Sequence, residues 1–218
     1  MQGIRHVFAV SGGASVHLIQ SVEDMAGITF ICPQHEQAGA MAADAYARVT
    51  GNIGAAIATS GPGATNLLSG VCSAYYDSVP VMFINGQVST FRQKGDTGVR
   101  QIGFQETDTV PIFTPVTKYA VQIDDPTSIR YELEKACYLA RSGRPGPVYI
   151  IQRENIEPDK LDRYIPELQP DTISVLTNEI ATCVDLIKNA QRPILILGWG
   201  IRLAKAEKEI LGFVERTG

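Results

Sequence analysis

The feature that most constrains the fold is a regular alternation of short apolar segments with longer segments rich in alanine and leucine. The short segments lack a clean apolar–polar alternation, which is typical of strands that helices cover on both faces. The predicted strands are 6–10, 29–33, 54–60, 79–87, 118–123 and 147–152, and the predicted helices are 14–24, 36–50, 64–76 and 128–141. This order predicts an α/β fold with a mostly parallel six-stranded sheet and helices on both faces.

A polar, proline-punctuated segment separates this region from a second one. We therefore expect a first domain over 1–153, a linker over 154–172 and the beginning of a second α/β domain over 173–218. In the second region the pattern predicts a helix over 173–189, a buried strand over 193–197 and a helix over 203–216. Because so short a βα unit cannot bury a core of its own, we interpret this domain as truncated.

Composition excludes several classes of function. Nineteen lysine and arginine residues against 23 aspartate and glutamate residues give a formal net charge of −4, which argues against a basic nucleic-acid-binding face. No apolar run has the length of a membrane span, and the histidines lack metal-ligand spacing. The N-terminus leads directly into the first predicted strand, so we expect no signal peptide and a cytoplasmic location. A reducing compartment also fits four separated thiols, expected to be buried or half-buried: Cys32, Cys72, Cys137 and Cys183.

Glycines or polar residues follow four successive predicted strands. In an open parallel sheet, ligands bind beyond the carboxyl ends of the strands, so we expect these residues to meet at one edge. The four groups are Gly12 and Gly13, Glu36, the segment 61–66, and the strand end 85–87.

Each group has a structural and a functional interpretation, and the residues alone leave both open. Gly12 and Gly13 are typical of a tight turn. The segment GPGATN can begin a helix, and its free N–H groups can also hold an anion or a polar ring. Glu36 in a first helical turn can compensate the helix dipole, or it can be a desolvated carboxylate that shares a proton with a ring nitrogen. GPGATN is neither a phosphate-binding P-loop nor a dinucleotide fingerprint.

Six segments in this order resemble the N-terminal half of thiamine diphosphate (ThDP) enzymes of the acetolactate synthase group. The segments are VFAVSGGA, HEQAGAMAADAYARVTG, GPGATN, NGQ, GFQETD and SGRPGPVYI. The later PILILGWGIRLAKA is similar to the opening of that family's central domain. The resemblance implies the pyrimidine-binding domain of a ThDP-dependent transferase or lyase that carboligates or decarboxylates a 2-oxo acid.

The resemblance also implies roles for individual residues. Glu36 matches the catalytic glutamate that hydrogen-bonds N1′ of the cofactor aminopyrimidine. Phe104 and Gln105, on an unusually long loop over 89–107, match substrate-side residues. Arg144 matches an arginine that contacts FAD in the flavin-containing members, so FAD is a further candidate cofactor. The implied cofactor-binding residues are Gly12, Gly13, Pro62, Asn66 and Gln87.

The chain departs from the family's pattern in three respects. The family binds Mg²⁺ and the diphosphate through a separate domain with a Gly-Asp-Gly motif followed by asparagine, and the nearest segment here, 95–98, lies in the long loop. We therefore expect Mg²⁺ to be held by a domain outside this chain, no metal site within it, and no activity of the chain alone. Ser11 replaces the usual proline and Glu154 a channel lysine, so a different 2-oxo acid, for example a sugar-derived one, is at least as plausible a substrate as that of acetolactate synthesis.

The expected partners follow from the resemblance as well. We expect a homodimer or a tetramer, a small 2-oxo acid substrate, and neither nucleic acid nor membrane. Two alternatives to a fragment of a complete enzyme are a non-catalytic interaction subunit or remnant, and one half of a split carboligase. A Rossmann-type NAD protein is a third and weaker alternative, because the glycine fingerprint is incomplete.

Overall fold

The computed structural model describes residues 3–153, 163–167 and 177–217. The chain divides into two compact units, 1–168 and 169–218. The predicted linker over 154–172, with Glu154, lies outside the described residues except for 163–167. Within that short stretch the backbone N–H of Tyr164 donates to Glu134 Oε2 at 3.1 Å.

The first unit contains one six-stranded sheet in which every neighbouring pair of strands is parallel. The strand order is β2-β1-β3-β4-β6-β5, which confirms the predicted fold class. The strands are β1 (His6–Ala9), β2 (Thr29–Ile31), β3 (Gly54–Ala58), β4 (Val81–Gln87), β5 (Tyr119–Ile123) and β6 (Val148–Arg153).

Helices follow the strands in the predicted alternation. They are α1 (Val16–Glu23), α2 (Glu36–Thr50), α3 (Pro62–Asn66), α4 (Leu68–Tyr76), α5 (Val110–Phe113) and α6 (Ile129–Arg141). The predicted helix over 64–76 is divided at Leu67, where φ is −70° and ψ is −22°. Because these angles remain helical, α3 leads directly into α4.

The two faces of the sheet bury separate apolar clusters, which explains why the strands read as continuous apolar runs. Ala56 and Phe83 pack with α2 and α4 on one face, whereas their neighbours Ala55 and Met82 belong to clusters on the other face with α1 and α6. Both faces are therefore covered.

Small residues bring α2 unusually close to its neighbours. A Cβ on Gly54 would lie 2.0 Å from the carbonyl oxygen of Ala43, and a Cβ on Gly70 would lie 2.4 Å from the Cβ of Ala40. The alanine-rich sequence of α2 is thus a packing requirement, since larger side chains would push the helix off β3 and α4. This close packing fixes the position of Glu36 at the beginning of α2.

The second unit contains three helices among its described residues: α7 (Thr177–Asn189), α8 (Gly200–Leu203) and α9 (Glu207–Thr217). The predicted helix over 203–216 is divided between α8 and α9, and residues 173–176 of the predicted helix over 173–189 lie outside the described residues. The predicted buried strand over 193–197 is wrong, because these residues form no strand and Ile194 and Ile196 are each 87% exposed. A strand needs a hydrogen-bonded neighbour, and no described residue of this unit pairs with 193–197.

The cysteine prediction is correct for two residues and wrong for two. Cys137 is buried in α6 and Cys72 is half-buried in α4. Cys32 and Cys183 are exposed, because β2 is the short edge strand of the sheet and the described part of the second unit buries little apolar surface. In the part of the chain that the structure describes, no helix is long and apolar enough to cross a membrane.

Candidate functional site

The carboxyl edge of the sheet brings together the residues that follow four neighbouring strands. Strands β2, β1, β3 and β4 lie side by side in that order and are parallel. The turns after them therefore share one edge, as the sequence predicts. Glu36, Gly12 and the segment 61–66 all lie at this edge.

Glu36 is half-buried in the first turn of α2. His35 caps the helix, because its extended backbone lets Nδ1 accept a hydrogen bond from the N–H of Gln37 at 3.1 Å. Asn66, at the end of α3, donates from Nδ2 to Oε2 of Glu36 at 2.9 Å. One carboxylate oxygen is thus held by an amide from another helix, which fixes the rotamer of Glu36.

The other carboxylate oxygen of Glu36 faces a position without a side chain. A Cβ on Gly63 would lie 3.4 Å from Oε1 of Glu36 and 2.8 Å from Cγ2 of Thr59. Glycine at this position is required because the Thr59 methyl group occupies the place of a side chain. Pro62 is exposed at the first position of α3, where a proline costs no hydrogen bond.

A cleft of about 370 Å³ lies at the same edge; Thr59 lines it, but Glu36, Pro62 and Asn66 do not. A Cβ on Gly12 would lie 2.5 Å from the Cβ of Thr59, whereas a Cβ on Gly13 would meet nothing within 4 Å. Gly12 is therefore needed for close approach to the end of β3, and Gly13 presents bare backbone. The cleft is lined by Gly12, Gly13, Ala14, Thr59, Ser60, Val88, Ser89, Arg92, Phe104 and Gln105.

The long loop forms one wall of this cleft. Phe104 is 78% exposed, and Gln105 is exposed beside it. The carbonyl oxygen of Gln105 lies 2.6 Å from the place that a Cβ of Gly61 would occupy, and Gly61 has a φ of +61°. Glycine at position 61 is thus required both by its backbone conformation and by the loop packed against it.

Gln87 does not line the cleft. It is buried at the end of β4, where its Nε2 donates to the carbonyl oxygen of Thr107 at 3.0 Å and its Oε1 accepts from the N–H of Val88 at 3.0 Å. It borders a smaller pocket of about 210 Å³ that also contains Glu106. Its cofactor-binding role stays a prediction, and the structure adds a second role at the end of the loop.

Arg144 lies at the opposite, amino edge of the sheet, shortly before β6. Its Nε donates to Oγ of Ser78 at 2.6 Å, and its Nη2 donates to the carbonyl oxygen of Tyr76 at 3.4 Å. The guanidinium therefore binds the turn between α4 and β4. The expectation that Arg144 contacts FAD stays a prediction, and the structure does not bring this residue together with Glu36.

Two residues of this edge escape prediction from the sequence. Thr59 contacts the positions of both Gly12 and Gly63 and so joins the cleft to the Glu36 pair. The sequence signal that could have indicated a role for Thr59 is its place directly before the Ser60–Gly61 turn. Glu106 lies inside the GFQETD segment, but nothing in its spacing shows which atoms its carboxylate binds.

The hydrogen-bonding groups at this edge fit a flat heteroaromatic ring that carries N–H groups. A fixed, half-buried carboxylate can accept a hydrogen bond from a protonated ring nitrogen. Bare backbone at Gly13 offers further hydrogen-bonding groups. In the described ranges there is no group of three or more histidine, cysteine, aspartate or glutamate residues that could hold a metal ion.

Comparisons with known proteins agree with this chemistry. A family model described as "Thiamine pyrophosphate enzyme, N-terminal TPP binding domain" matches residues 1–112. Acetolactate synthase 2, chloroplastic, of Nicotiana tabacum is 40% identical over 230 residues, covering 100% of this chain and 32% of the tobacco protein. The acetolactate synthase large subunit of Haemophilus influenzae is 35% identical, covering 99% of this chain and 38% of that protein.

A third relative, the probable acetolactate synthase large subunit of Methanocaldococcus jannaschii, is 34% identical over 98% of this chain and 36% of its own length. The chain thus spans about a third of the length of the curated relatives it matches. The family model covers more than half of the 218 residues, including β1 to β4 and the whole Glu36 cluster. The chain therefore belongs to the thiamine pyrophosphate enzymes and contains their N-terminal TPP-binding domain.

Proposed function

We propose that this chain forms the aminopyrimidine-binding part of a ThDP-dependent enzyme that carboligates or decarboxylates a 2-oxo acid. The Glu36–Asn66 pair at the carboxyl edge is the observation that carries the proposal. The names of the relatives, which are acetolactate synthases, support the reaction class.

Glu36 is the group that holds a proton at the cofactor. With ThDP bound, the Glu36 carboxyl group would share its proton with N1′ of the aminopyrimidine. Asn66 keeps Glu36 in place by donating to Oε2. When bound, ThDP supplies the electron sink for breaking and forming bonds beside the carbonyl carbon of a 2-oxo acid.

The other predicted residues shape the space around this contact. Gly12 lets the turn after β1 approach Thr59, and Gly13 exposes backbone toward the cleft. Phe104 and Gln105 border the substrate side and limit the access of water. Mg²⁺ and the diphosphate are bound by residues outside this chain, so turnover requires the longer protein.

The proposal also includes the oligomeric state, the cellular location and the residue that would contact a flavin. A homodimer, or a tetramer built from it, covers exposed apolar side chains of α2 and α4, including Met41, Val49 and Tyr76. The protein works in the cytoplasm. Arg144 contacts FAD if the complete enzyme is a flavin-containing member.

The experiment compares two carboxamide variants of the full-length protein. Glu36→Gln removes the shared proton while keeping the shape of the side chain, so kcat for 2-oxo acid turnover should fall by about 100-fold or more. Glu23→Gln makes the same change at an exposed position of α1 and should leave kcat unchanged. Equal kcat values for wild type and Glu36→Gln would contradict the proposal.

A further inference from the structure

The carboxylate of Glu106 binds three backbone N–H groups of the long loop. Oε1 accepts from Lys94 at 2.8 Å, and Oε2 accepts from Ile102 at 3.0 Å and from Gly103 at 3.3 Å. Bonds of this kind are stronger than those between neutral groups, because the acceptor carries a charge. A single side chain thus satisfies backbone donors from two separate limbs of the loop.

These bonds enclose the segment that carries the predicted substrate-side residues. The N–H of Glu106 donates to the carbonyl oxygen of Gly103 at 3.2 Å, so residues 103–106 form a turn with Phe104 and Gln105 at its tip. The side chain of Val88 fills the space beside Gly103, where a Cβ would lie 2.8 Å from Val88 Cγ1. The base of this turn is therefore fixed both by packing and by hydrogen bonds.

Gln105 has a backbone conformation that few side-chain-bearing residues adopt. Its φ is +55°, in the left-handed region that costs about 1–2 kcal/mol for residues other than glycine. Such a conformation persists only when its surroundings determine it. Here the Gln105 carbonyl packs against Gly61, and the next residue along the chain is Glu106 with its three bonds.

We propose that Glu106 is a positioning residue that holds Phe104 and Gln105 in place at the cleft for contact with the substrate. The substrate part of this inference rests on the proposed function. The structural part rests on the three hydrogen bonds and on the left-handed backbone of Gln105. Glu106 itself does not line the cleft and acts through the two residues before it.

The charge state of Glu106 agrees with this role. Burial raises the pKa of its carboxyl group. The hydrogen bonds from Ile102, Lys94 and Gly103, together with the charge of Lys94, outweigh this effect, so the pKa lies below its ordinary value of 4.5. The neighbouring charged groups are Lys94, Asp96 and Asp108. The carboxylate is ionised at neutral pH, and the three bonds weaken only as the pH falls through the lowered pKa.

The test uses the full-length protein and two carboxamide variants. Glu106→Gln removes the charge and one acceptor oxygen, whereas Asp108→Asn makes the same charge change at an exposed position directly after the loop. Amide hydrogen exchange at Lys94, Ile102 and Gly103 should become about tenfold faster or more in Glu106→Gln and stay unchanged in Asp108→Asn. Wild-type exchange in Glu106→Gln would overturn the proposal.

Kinetics test the positioning role separately. At an unchanged midpoint of thermal unfolding, kcat/KM for the 2-oxo acid should fall about tenfold in Glu106→Gln. Glu106→Asp, which keeps a carboxylate, should recover part of that loss. Faster exchange with unchanged kcat and KM would overturn the positioning role. Should the wild-type protein show no ThDP-dependent turnover, the proposed function would fail, while the exchange data would still decide whether Glu106 holds the loop.

A pH titration gives an independent signature of the charged carboxylate. The amide chemical shifts of Ile102 and Gly103 should titrate together with a midpoint below pH 4.5, and this transition should vanish in Glu106→Gln. If these amide shifts still titrated with the wild-type midpoint in Glu106→Gln, the transition would belong to another group, and the inference would be contradicted.

Discussion

The two edges of one parallel sheet differ in the contacts that surround them. At the amino edge, long polar side chains bind backbone carbonyls: Nζ of Lys118 donates to the carbonyl oxygens of Leu139 and Ser142, and Asn52 donates to that of Gly3 at 2.6 Å. At the carboxyl edge, close contacts between turns depend on residues without a side chain, such as Gly12 and Gly86. The carboxyl edge keeps a cleft open, although Gln87 and Glu106 also bind backbone groups there.

Both edges contribute to stability, but only the carboxyl edge holds the candidate site. The bonds of the amino edge satisfy carbonyl groups at the end of α6 and in the turns before the strands, so they contribute to stability. The glycines of the carboxyl edge bring turns together and still leave a cleft of about 370 Å³ that Gly12 and Gly13 line. Substitutions at the amino edge should therefore change stability and leave cofactor binding unchanged, whereas substitutions at the carboxyl edge can change both.

Among the substitutions considered below, the largest effect on stability is expected at Gly86. A Cβ there would lie 2.1 Å from the carbonyl oxygen of Ala14, which is backbone and has no alternative rotamer. Gly86→Ala should lower the free energy of unfolding by about 3 kcal/mol, measured by urea denaturation. Gly13→Ala is the matched control, because its Cβ meets nothing within 4 Å. If both variants lost the same stability, close approach would not explain the glycines of this edge.

A smaller effect is expected at Lys118 on the amino edge. Burial lowers the pKa of its ammonium group, yet its Nζ binds two carbonyl oxygens at the end of α6. Lys118→Met keeps the apolar stem and removes the donors, so the free energy of unfolding should fall by about 1–2 kcal/mol with cofactor binding unchanged. The exposed Lys208 of α9 provides the control, Lys208→Met. A loss of cofactor affinity without a loss of stability would reverse the assignment of the two edges.

The smallest effect is expected from the backbone of Gln105. Gln105→Ala and Gln105→Gly both remove the side chain, but only glycine adopts a φ of +55° without strain. The glycine variant should therefore hold the 103–106 turn more firmly, by about 1 kcal/mol, seen as slower exchange of the Glu106 amide. Faster exchange in the glycine variant would show that this turn stores no strain.

The sequence predicts the sheet well because burial on both faces leaves a strong pattern. The predicted bounds of all six strands lie within two residues of the observed ones at each end, and the predicted helix over 36–50 coincides with α2. The matching bounds of α2 have local causes: His35 caps its first turn, and Gly51 ends it with a φ of +68°. The four polar strand ends meet at one edge because parallel pairing requires it.

The failures have equally physical reasons. An apolar run such as 193–197 shows the tendency to be a strand but not whether a partner strand exists, and Ile194 and Ile196 remain exposed. Hydrogen-bond partners far apart in the sequence leave no pattern either. The bond between Asn66 and Glu36 spans 30 positions, and the bonds from Glu106 depend on the path of the loop. The hydrogen bonds that side chains make at the site therefore cannot be predicted from the sequence alone.

The most direct test of the central claim is the exchange of the C2 hydrogen of ThDP bound to the full-length protein, followed by NMR in deuterated buffer. If Glu36 shares the proton at N1′, C2 exchange should be at least about 100-fold slower in Glu36→Gln than in wild type, while Glu23→Gln exchanges at the wild-type rate. Equal exchange rates in wild type and Glu36→Gln, with the cofactor bound in both, would contradict the account.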